Sequence, residues 1–488
     1  MRDPTSGPDD ERLLRQLGYH QELSRRMSGF SNFAISLSII CILAGGITSF
    51  HVGLCSAGGA SIGLGWPLAC LFSLTVALTM AQVASAFPTA GGLYHWGSIL
   101  GGRACGWVTA WFNLAGLITV LAAINAGTYD FTLAAFDVTP AAASAAAWRT
   151  AVVVAMTLSQ GLLNHYGIRL TTWLTDLSGW LILLVTAVLT VALLLATKHF
   201  EFARLWTFTN FSGLPEAGPV FPKQDNLAWL FALGLLLPAY TITGFDASAH
   251  TSEETLDAAR NVPKGIVRSV WVSGLFGWVM LIAILLAIPD VKEGVGQGSD
   301  VVHRTMKAVL PAGLAWALLA GIVLAQYLCG LAALTSASRM TYAFARDGGL
   351  PGSRWLRSVN PRTKSPSVAV WLAAIGAALF TLLVPYTTIA AVCVIFLYLS
   401  YVLPVVAGFF AYGRTWTRMG PWQLGAWYRP LAVIAALGCV FLIVIGMQPP
   451  NQQAVVIVGG ALVLLLAVWF GLERKRFAGP PQIRPEER

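Results

Sequence analysis

Charged side chains are scarce in this chain. Only 11% of its 488 residues are Asp, Glu, Lys or Arg, against about 25% in soluble globular proteins. With 56% of residues hydrophobic, too little polar surface remains to cover a water-soluble particle, and an all-α integral membrane protein is expected. Metal-binding patterns are lacking too. The seven cysteines, at 41, 55, 70, 105, 329, 393 and 439, form no CxxC or Cys/His group. They read as small buried thiols, with no metal and no cofactor expected. Paired His/Asp or Cys/His residues near one interface are missing; His95, His165 and His250 stand singly. That disfavours a lipid-modifying membrane enzyme, and no enzymatic role is expected. No basic cluster sits on a soluble domain, so the net charge of +9 does not point to nucleic acid. Residues 1–29 hold no apolar core ahead of a cleavage site, so the first span is expected to be its own insertion signal.

Apolar runs are what the chain has in quantity. Twelve reach the ~20 residues a spanning helix needs: 30–52, 62–87, 104–129, 148–167, 171–197, 226–250, 266–289, 311–337, 367–385, 387–411, 430–448 and 453–471. Val384-Pro385 divides the ninth from the tenth, and the polar stretch Gln448 to Gln453 divides the last two. If loops alternate sides, seven of the 31 basic residues (Arg149, Lys198, Arg204, Lys223, Lys292, Arg304 and Lys307) fall opposite the N-terminus. The rest share its side, which places both termini in the cytoplasm, with the plasma (inner) membrane as the expected location. The connection 198–225 separates a five-span unit, 30–197, from a second, 226–412. An odd number of spans per unit means that the second enters from the other side, an inverted repeat if the units are related. Residues 413–471 add two spans, and 1–29 and 472–488 are cytoplasmic tails.

Two spans are interrupted. The first contains Ala44-Gly45-Gly46-Ile47-Thr48, where unwinding would expose amides at the start of a second half-helix able to receive a carboxylate; close helix packing is the alternative. The sixth contains Ile242-Thr-Gly-Phe-Asp-Ala-Ser248, preceded by Pro238 and Tyr240. An acid at a helix centre in hydrocarbon costs roughly 2.5–3.5 kcal/mol. Asp246 therefore reads as a ligand for a cationic group, a proton carrier, or both, against a structural hydrogen bond. Glycine-broken spans in corresponding halves point to a binding site near the bilayer midplane. Asp176, near the start of span 5, suggests a gate or coupling role or a simple helix-terminus acid. Thr335 and Ser336, late in span 8, offer oxygens to an ion or to the preceding turn. In the short 6–7 loop, Glu253 and Glu254 are candidates to pair with Arg25 and Arg26 across an inner gate. A long cytoplasmic 6–7 loop, the mark of six-plus-six carriers, is absent.

Five stretches carry a resemblance: Phe87 to Trp96, Gly244 to Thr255, Asn261 to Gly265, Thr335 to Asp347 and Trp427 to Pro430. In these the chain resembles the amino acid–polyamine–organocation transporters, and in particular their amino acid/choline branch. The resemblance implies the five-plus-five inverted-repeat fold with discontinuous helices 1 and 6. It implies carboxylate capture near Gly45, Gly46 and Ile47, ammonium capture by carbonyls near Thr243 and Gly244 beside Phe245, a lid at Tyr240 and an acid tied to pH response at Asp246. Span 5 lacks the lysine that replaces sodium in some of these transporters, leaving H+ or Na+ as the coupling ion. The expected function is a secondary transporter moving an amino acid or related amine by alternating access, proton-coupled or exchanging. The alternatives are choline, ethanolamine or polyamine transport on the same fold, a channel, or a sensor that binds amine without moving it.

Overall fold

The computed structural model describes residues 8–384 and 386–481. Pro385, Arg2, Arg484 and Arg488, used above for span division and orientation, lie outside them. Among the described residues the regular structure is helical, apart from two isolated β-bridges. Ten segments of the described residues are long and apolar enough to cross a bilayer, and two shorter apolar helices, Leu227–Thr241 and Ser367–Leu383, lie where the sixth and ninth spans were expected.

The helices used below, in chain order, are α1 Pro8–Gln16, α2 Gly29–Ile40, α3 Gly45–Thr48, α4 Phe50–Leu54, α5 Trp66–Ala86, α6 Leu93–Ala135, α7 Ala145–His165 and α8 Ile168–Ala196. There follow α9 Leu227–Thr241, α10 Ala247–His250, α11 Ala258–Ala287, α12 Ala312–Arg346, α13 Ser367–Leu383, α14 Tyr386–Ala411, α15 Tyr428–Gly446 and α16 Gln452–Val468. The third span was expected to begin at 104. Instead helix starts at Leu93 and continues past a kink at Gly102, whose φ of 84° lies outside the helical region.

Sorting follows from the solvent. Outer helices turn Leu, Val and Phe outward, as at Leu184, Leu195, Leu437, Val456 and Val463. Central helices bury small and hydroxylated residues such as Ser36, Ala332, Ala333 and Ser338. Without a hydrophobic force between helices in lipid, close packing of small side chains and internal hydrogen bonds hold such a bundle together.

The first span breaks one turn earlier than expected. Unwinding occupies Cys41 to Ala44, with Cys41 at φ 28°, and the Ala44 and Gly45 amides return to the Cys41 carbonyl at 2.7 and 3.0 Å. The glycine pair opens the second half-helix rather than forming the break. Its reason is proximity: a Cβ on Gly45 would stand 2.8 Å from Thr241 Cα. The sixth span breaks as expected, between α9 and α10, with Gly244 at φ 83° and any Cβ there colliding with Ile39. The two breaks therefore press against each other, each through a glycine.

The first and last described segments lie on one face. Arg418 Nη2 donates to Gln16 Oε1 at 2.6 Å, and Arg103 Nη1 donates to the Phe477 carbonyl at 3.2 Å.

Candidate functional site

Between the two breaks lies a cavity of about 70 Å³. Its walls come from the first span (Ile39, Ile40, Ala44, Gly45, Thr48, Ser49), from α6 (Val120, Ala123, Gly127, Thr128), from Tyr240 and Thr243, from Gln326 and Cys329 on α12, and from Ala390, Cys393 and Val394 on α14. Such a volume admits only a small solute, since a water needs about 10–15 Å³ on the same measure. None of the lining side chains is charged. Polar groups come instead from hydroxyls, one amide and the unwound backbone. Gln326 Nε2 donates to the Leu43 carbonyl at 3.2 Å, occupying one acceptor in the first break, while its Oε1 has no protein partner.

Tyr240 stands at the cavity's mouth, and Asn451 Nδ2 donates to its hydroxyl at 2.9 Å. Beyond it opens a vestibule of about 490 Å³, walled by Pro215, Val220 and Phe221 of the long connection and by Gln297, Ser299 and Pro450. Thr48, Ser49, Tyr240 and Ala390 line both spaces, so the vestibule adjoins the cavity on the side of the long connection.

The expected binding residues divide between wall and scaffold. Gly45, Tyr240 and Thr243 line the cavity. Gly46 faces Leu281, Met280 and Trp66, and Ile47 is buried beside it. Gly244 packs on Ile39, and Phe245 lies against the Tyr401 ring with centroids 5.0 Å apart. Asp246 does not reach the cavity. Its Oδ1 accepts from the Tyr401 hydroxyl at 2.7 Å, and its Oδ2 accepts from Asn113 Nδ2 at 2.9 Å and faces His250 Nε2 at 3.2 Å. A carboxylate with both oxygens engaged inside the bundle is not placed to meet a cationic solute.

The coupling candidates are scattered. Cys329 Sγ lies 3.4 Å from the Ile39 carbonyl, which fixes the part of α12 beside the first break. Thr335 and Ser336 follow about two turns later. Thr335 donates to Asn164 Oδ1 at 2.7 Å and to the Leu331 carbonyl at 2.9 Å, while the buried Ser336 hydroxyl has no partner. Asp176 accepts from Ser31 Oγ at 3.0 Å, near the start of α2. These groups do not converge on one ion site.

The residues expected at an inner gate lie close together, but with other partners than expected. Glu253 is held by Arg346 through two bonds of 2.9 Å and also accepts the Ala90 amide at 3.0 Å. Glu254 and Arg339, both fully buried, form a two-pronged pair at 3.0 and 3.1 Å. The expected ion pairs with Arg25 and Arg26 are therefore corrected. Both basic partners come from the end of α12, where a planar guanidinium matches a carboxylate bidentately. Arg25 donates instead to the Ser252 and Thr255 carbonyls at 3.1 and 2.5 Å, and Arg26 turns its side chain to Ser24 Oγ at 3.0 Å. The N-terminal segment still closes on the loop through its backbone, since the Arg26 and Met27 amides both donate to the Glu254 carbonyl at 2.8 Å. Burial, the largest single effect, would raise the Glu253 pKa, but the Arg346 guanidinium, the Ala90 amide and Arg25 together hold the group below its ordinary value. Asp347 is raised by burial, although the Tyr19 and Tyr94 hydroxyls each donate to it at 2.7 Å.

Sequence reasoning missed Asn113, Tyr401 and the part played by His250. The last was readable, because His250 follows Asp246 by four residues, one helical turn.

Comparison with known proteins agrees with this architecture. The sequence profile of the amino acid permease family matches residues 27–472. The amino-acid permease BAT1 homolog of Oryza sativa subsp. japonica is 34% identical over 96% of this chain and 94% of its own length. Amino-acid permease BAT1 of Arabidopsis thaliana is 31% identical over 96% and 95%. A GABA-specific permease of Saccharomyces cerevisiae is 28% identical over 98% of this chain and 87% of its own.

Proposed function

We propose that this chain, which belongs to the amino acid permease family, carries a small zwitterionic amino acid across the membrane by alternating access. The observation that carries the reading is a small cavity at two helix breaks with no charged side chain in its wall. A zwitterion is neutral overall and needs no buried counter-charge, whereas a bare cation taken out of water does. The carboxylate would sit toward the amides that open α3, around Gly45, Gly46 and Ile47, and the ammonium toward carbonyls of the sixth-span break, near Thr243 and Gly244. Ala123, Gly127 and Ala390 leave space for a short side chain only. GABA, named for the yeast relative, fits the same charge rule. Choline, ethanolamine and polyamines fit it poorly, because Asp246 is already engaged.

In this reading the open vestibule and the locked terminal face are one of the two alternating states. The excess of basic residues on the locked face supports reading it as cytoplasmic, and the membrane is read as the plasma (inner) membrane, with one break supplied by each five-helix unit, 30–197 and 226–412. Solute drives the cycle only by binding more tightly in the closed state than in the open one.

The test is counterflow in proteoliposomes loaded with unlabelled L-alanine. Labelled L-alanine should enter, and glycine, serine and GABA should compete more strongly than choline or putrescine. Binding without counterflow would identify a sensor instead, and preferential competition by putrescine would overturn the charge argument.

A further inference from the structure

Several polar side chains in the cavity wall turn their hydrogens back to the chain. Thr48 Oγ donates to the Ala44 carbonyl at 2.8 Å, and Thr128 Oγ donates to the Ile124 carbonyl at 2.7 Å. The Cys329 and Cys393 thiols lie against the Ile39 and Ala390 carbonyls in the same way, at 3.4 and 3.1 Å. Gln326 on α12 is different. It is only 1% exposed, and its Nε2 donates to the Leu43 carbonyl at 3.2 Å. That bond settles which end of the amide is which, because the reverse orientation would set two acceptors against each other. Leu43 is not part of the cavity wall, whereas Gln326 is. Oε1 is the amide end left over from the Leu43 bond, buried and without a partner among the described residues. Buried acceptors are seldom left unpaired, and each exception calls for a water, a ligand or a function.

We infer that Gln326 reads the solute's side chain: its Oε1 accepts a hydrogen bond from a side-chain donor, and the preferred solute is a short hydroxylated amino acid such as serine rather than alanine. The inference rests on the carrier function proposed above and narrows its substrate. In that reading the two helix breaks take the charged ends of the solute, the carboxylate at the amides opening α3 and the ammonium at the sixth-span carbonyls. The side chain is then left to α6, α12 and α14. Ala123, Gly127 and Ala390 offer it a small apolar space, and Gln326 offers it an acceptor. An amide oxygen carries no hydrogen, so it meets a hydroxyl only as the receiving partner and is of no use to a carboxylate.

A side chain that reaches this wall displaces solvent from Oε1. A hydroxyl replaces the lost hydrogen bond, while a methyl leaves the acceptor bare. Sites that hydrogen-bond a substrate hydroxyl reject the analogue without it far more strongly than an apolar pocket rejects one methylene. The Leu43 bond holds the amide in place beforehand, so little side-chain freedom remains to be lost when the solute arrives. Size agrees, since serine adds a single heavy atom to alanine in a cavity of about 70 Å³.

The experiment uses the full chain in proteoliposomes and compares L-serine with L-2-aminobutyrate, in which a methyl replaces the hydroxyl at nearly the same size. Both compete against counterflow of labelled L-alanine, and the ratio of their half-inhibiting concentrations is the readout. In wild type serine should compete about tenfold more strongly or better. In Gln326→Met, of similar length but without the amide, the ratio should fall to about one. Losing the Leu43 bond by itself would weaken both solutes alike and leave the ratio unchanged, so the ratio separates reading from scaffolding. A wild-type ratio kept in Gln326→Met overturns the inference, as does a wild type indifferent to the hydroxyl. In either case the carrier function stands, because alanine still exchanges. A wild type without counterflow of any zwitterion removes the carrier function, and the inference with it. Should Gln326→Met fail to fold, Gln326→Asn, whose amide is drawn back by one methylene, is judged by the same ratio: a fall supports the inference and no change overturns it.

Discussion

Gly45 and Gly244 stand at the same crossing for different reasons. Gly45 has ordinary dihedrals but no room, because a Cβ would press on the Thr241 backbone. Gly244 has neither room nor an L-residue conformation, with φ at 83° and Ile39 in the way. Left-handed backbone costs an L-residue roughly 1–2 kcal/mol before any clash. Gly45→Ala should therefore abolish L-alanine counterflow while leaving the thermal unfolding midpoint within a few degrees of wild type, whereas Gly244→Ala should lower both. Counterflow and a melting curve on the two purified variants check this. Equal loss of stability in both would mean that the crossing is only a packing contact.

At the scale of elements, the end of α12 is the lock. Arg339 and Arg346 clamp Glu254 and Glu253, and the Arg346 guanidinium also lies over the Tyr19 ring, 3.8 Å from its centre. Removing one partner of a buried pair typically costs about 3–5 kcal/mol. Glu253→Gln should draw that loss mainly from the closed terminal face, so amides 251–257 should exchange hydrogen faster than in wild type. Unchanged exchange would show that the pair does not hold the gate. The pH sense follows from Glu253's depressed pKa. Its stabilisation is fully present above the ordinary carboxylate value of about 4.3 and is lost only as pH falls through the lower folded value. The lock therefore stays shut through neutral pH.

What could be read from the sequence was what depends on one segment at a time. The apolar runs and the interruption at Gly244 are local properties of composition and glycine placement. The break at Cys41 was not legible, because no residue there is a helix breaker. The unwinding is held by partners elsewhere, including Gln326 on the Leu43 carbonyl. Nor was the choice of Arg346 over Arg25 legible, since both are cations and only the packed bundle brings one of them within 2.9 Å of Glu253. Asp246 was read as facing solute for the same reason. Its neighbours Asn113 and Tyr401 lie 133 and 155 residues away in sequence.

At the scale of the whole bundle, the N-terminal segment packs on the 6–7 loop and Phe477 on Arg103 at one face, and toward the other face the vestibule adjoins the cavity. The account's central claim is that solute occupies the space between the two breaks. The chain supplies a probe of its own there, since Cys393 lines the cavity wall. In a variant whose sole cysteine is Cys393, a small methanethiosulfonate reagent should react more slowly in the presence of saturating L-alanine than in its absence. Protection that tracks the concentration dependence of counterflow is the predicted result. A reaction rate indifferent to L-alanine, in protein that still carries it, would place the solute elsewhere and contradict the account.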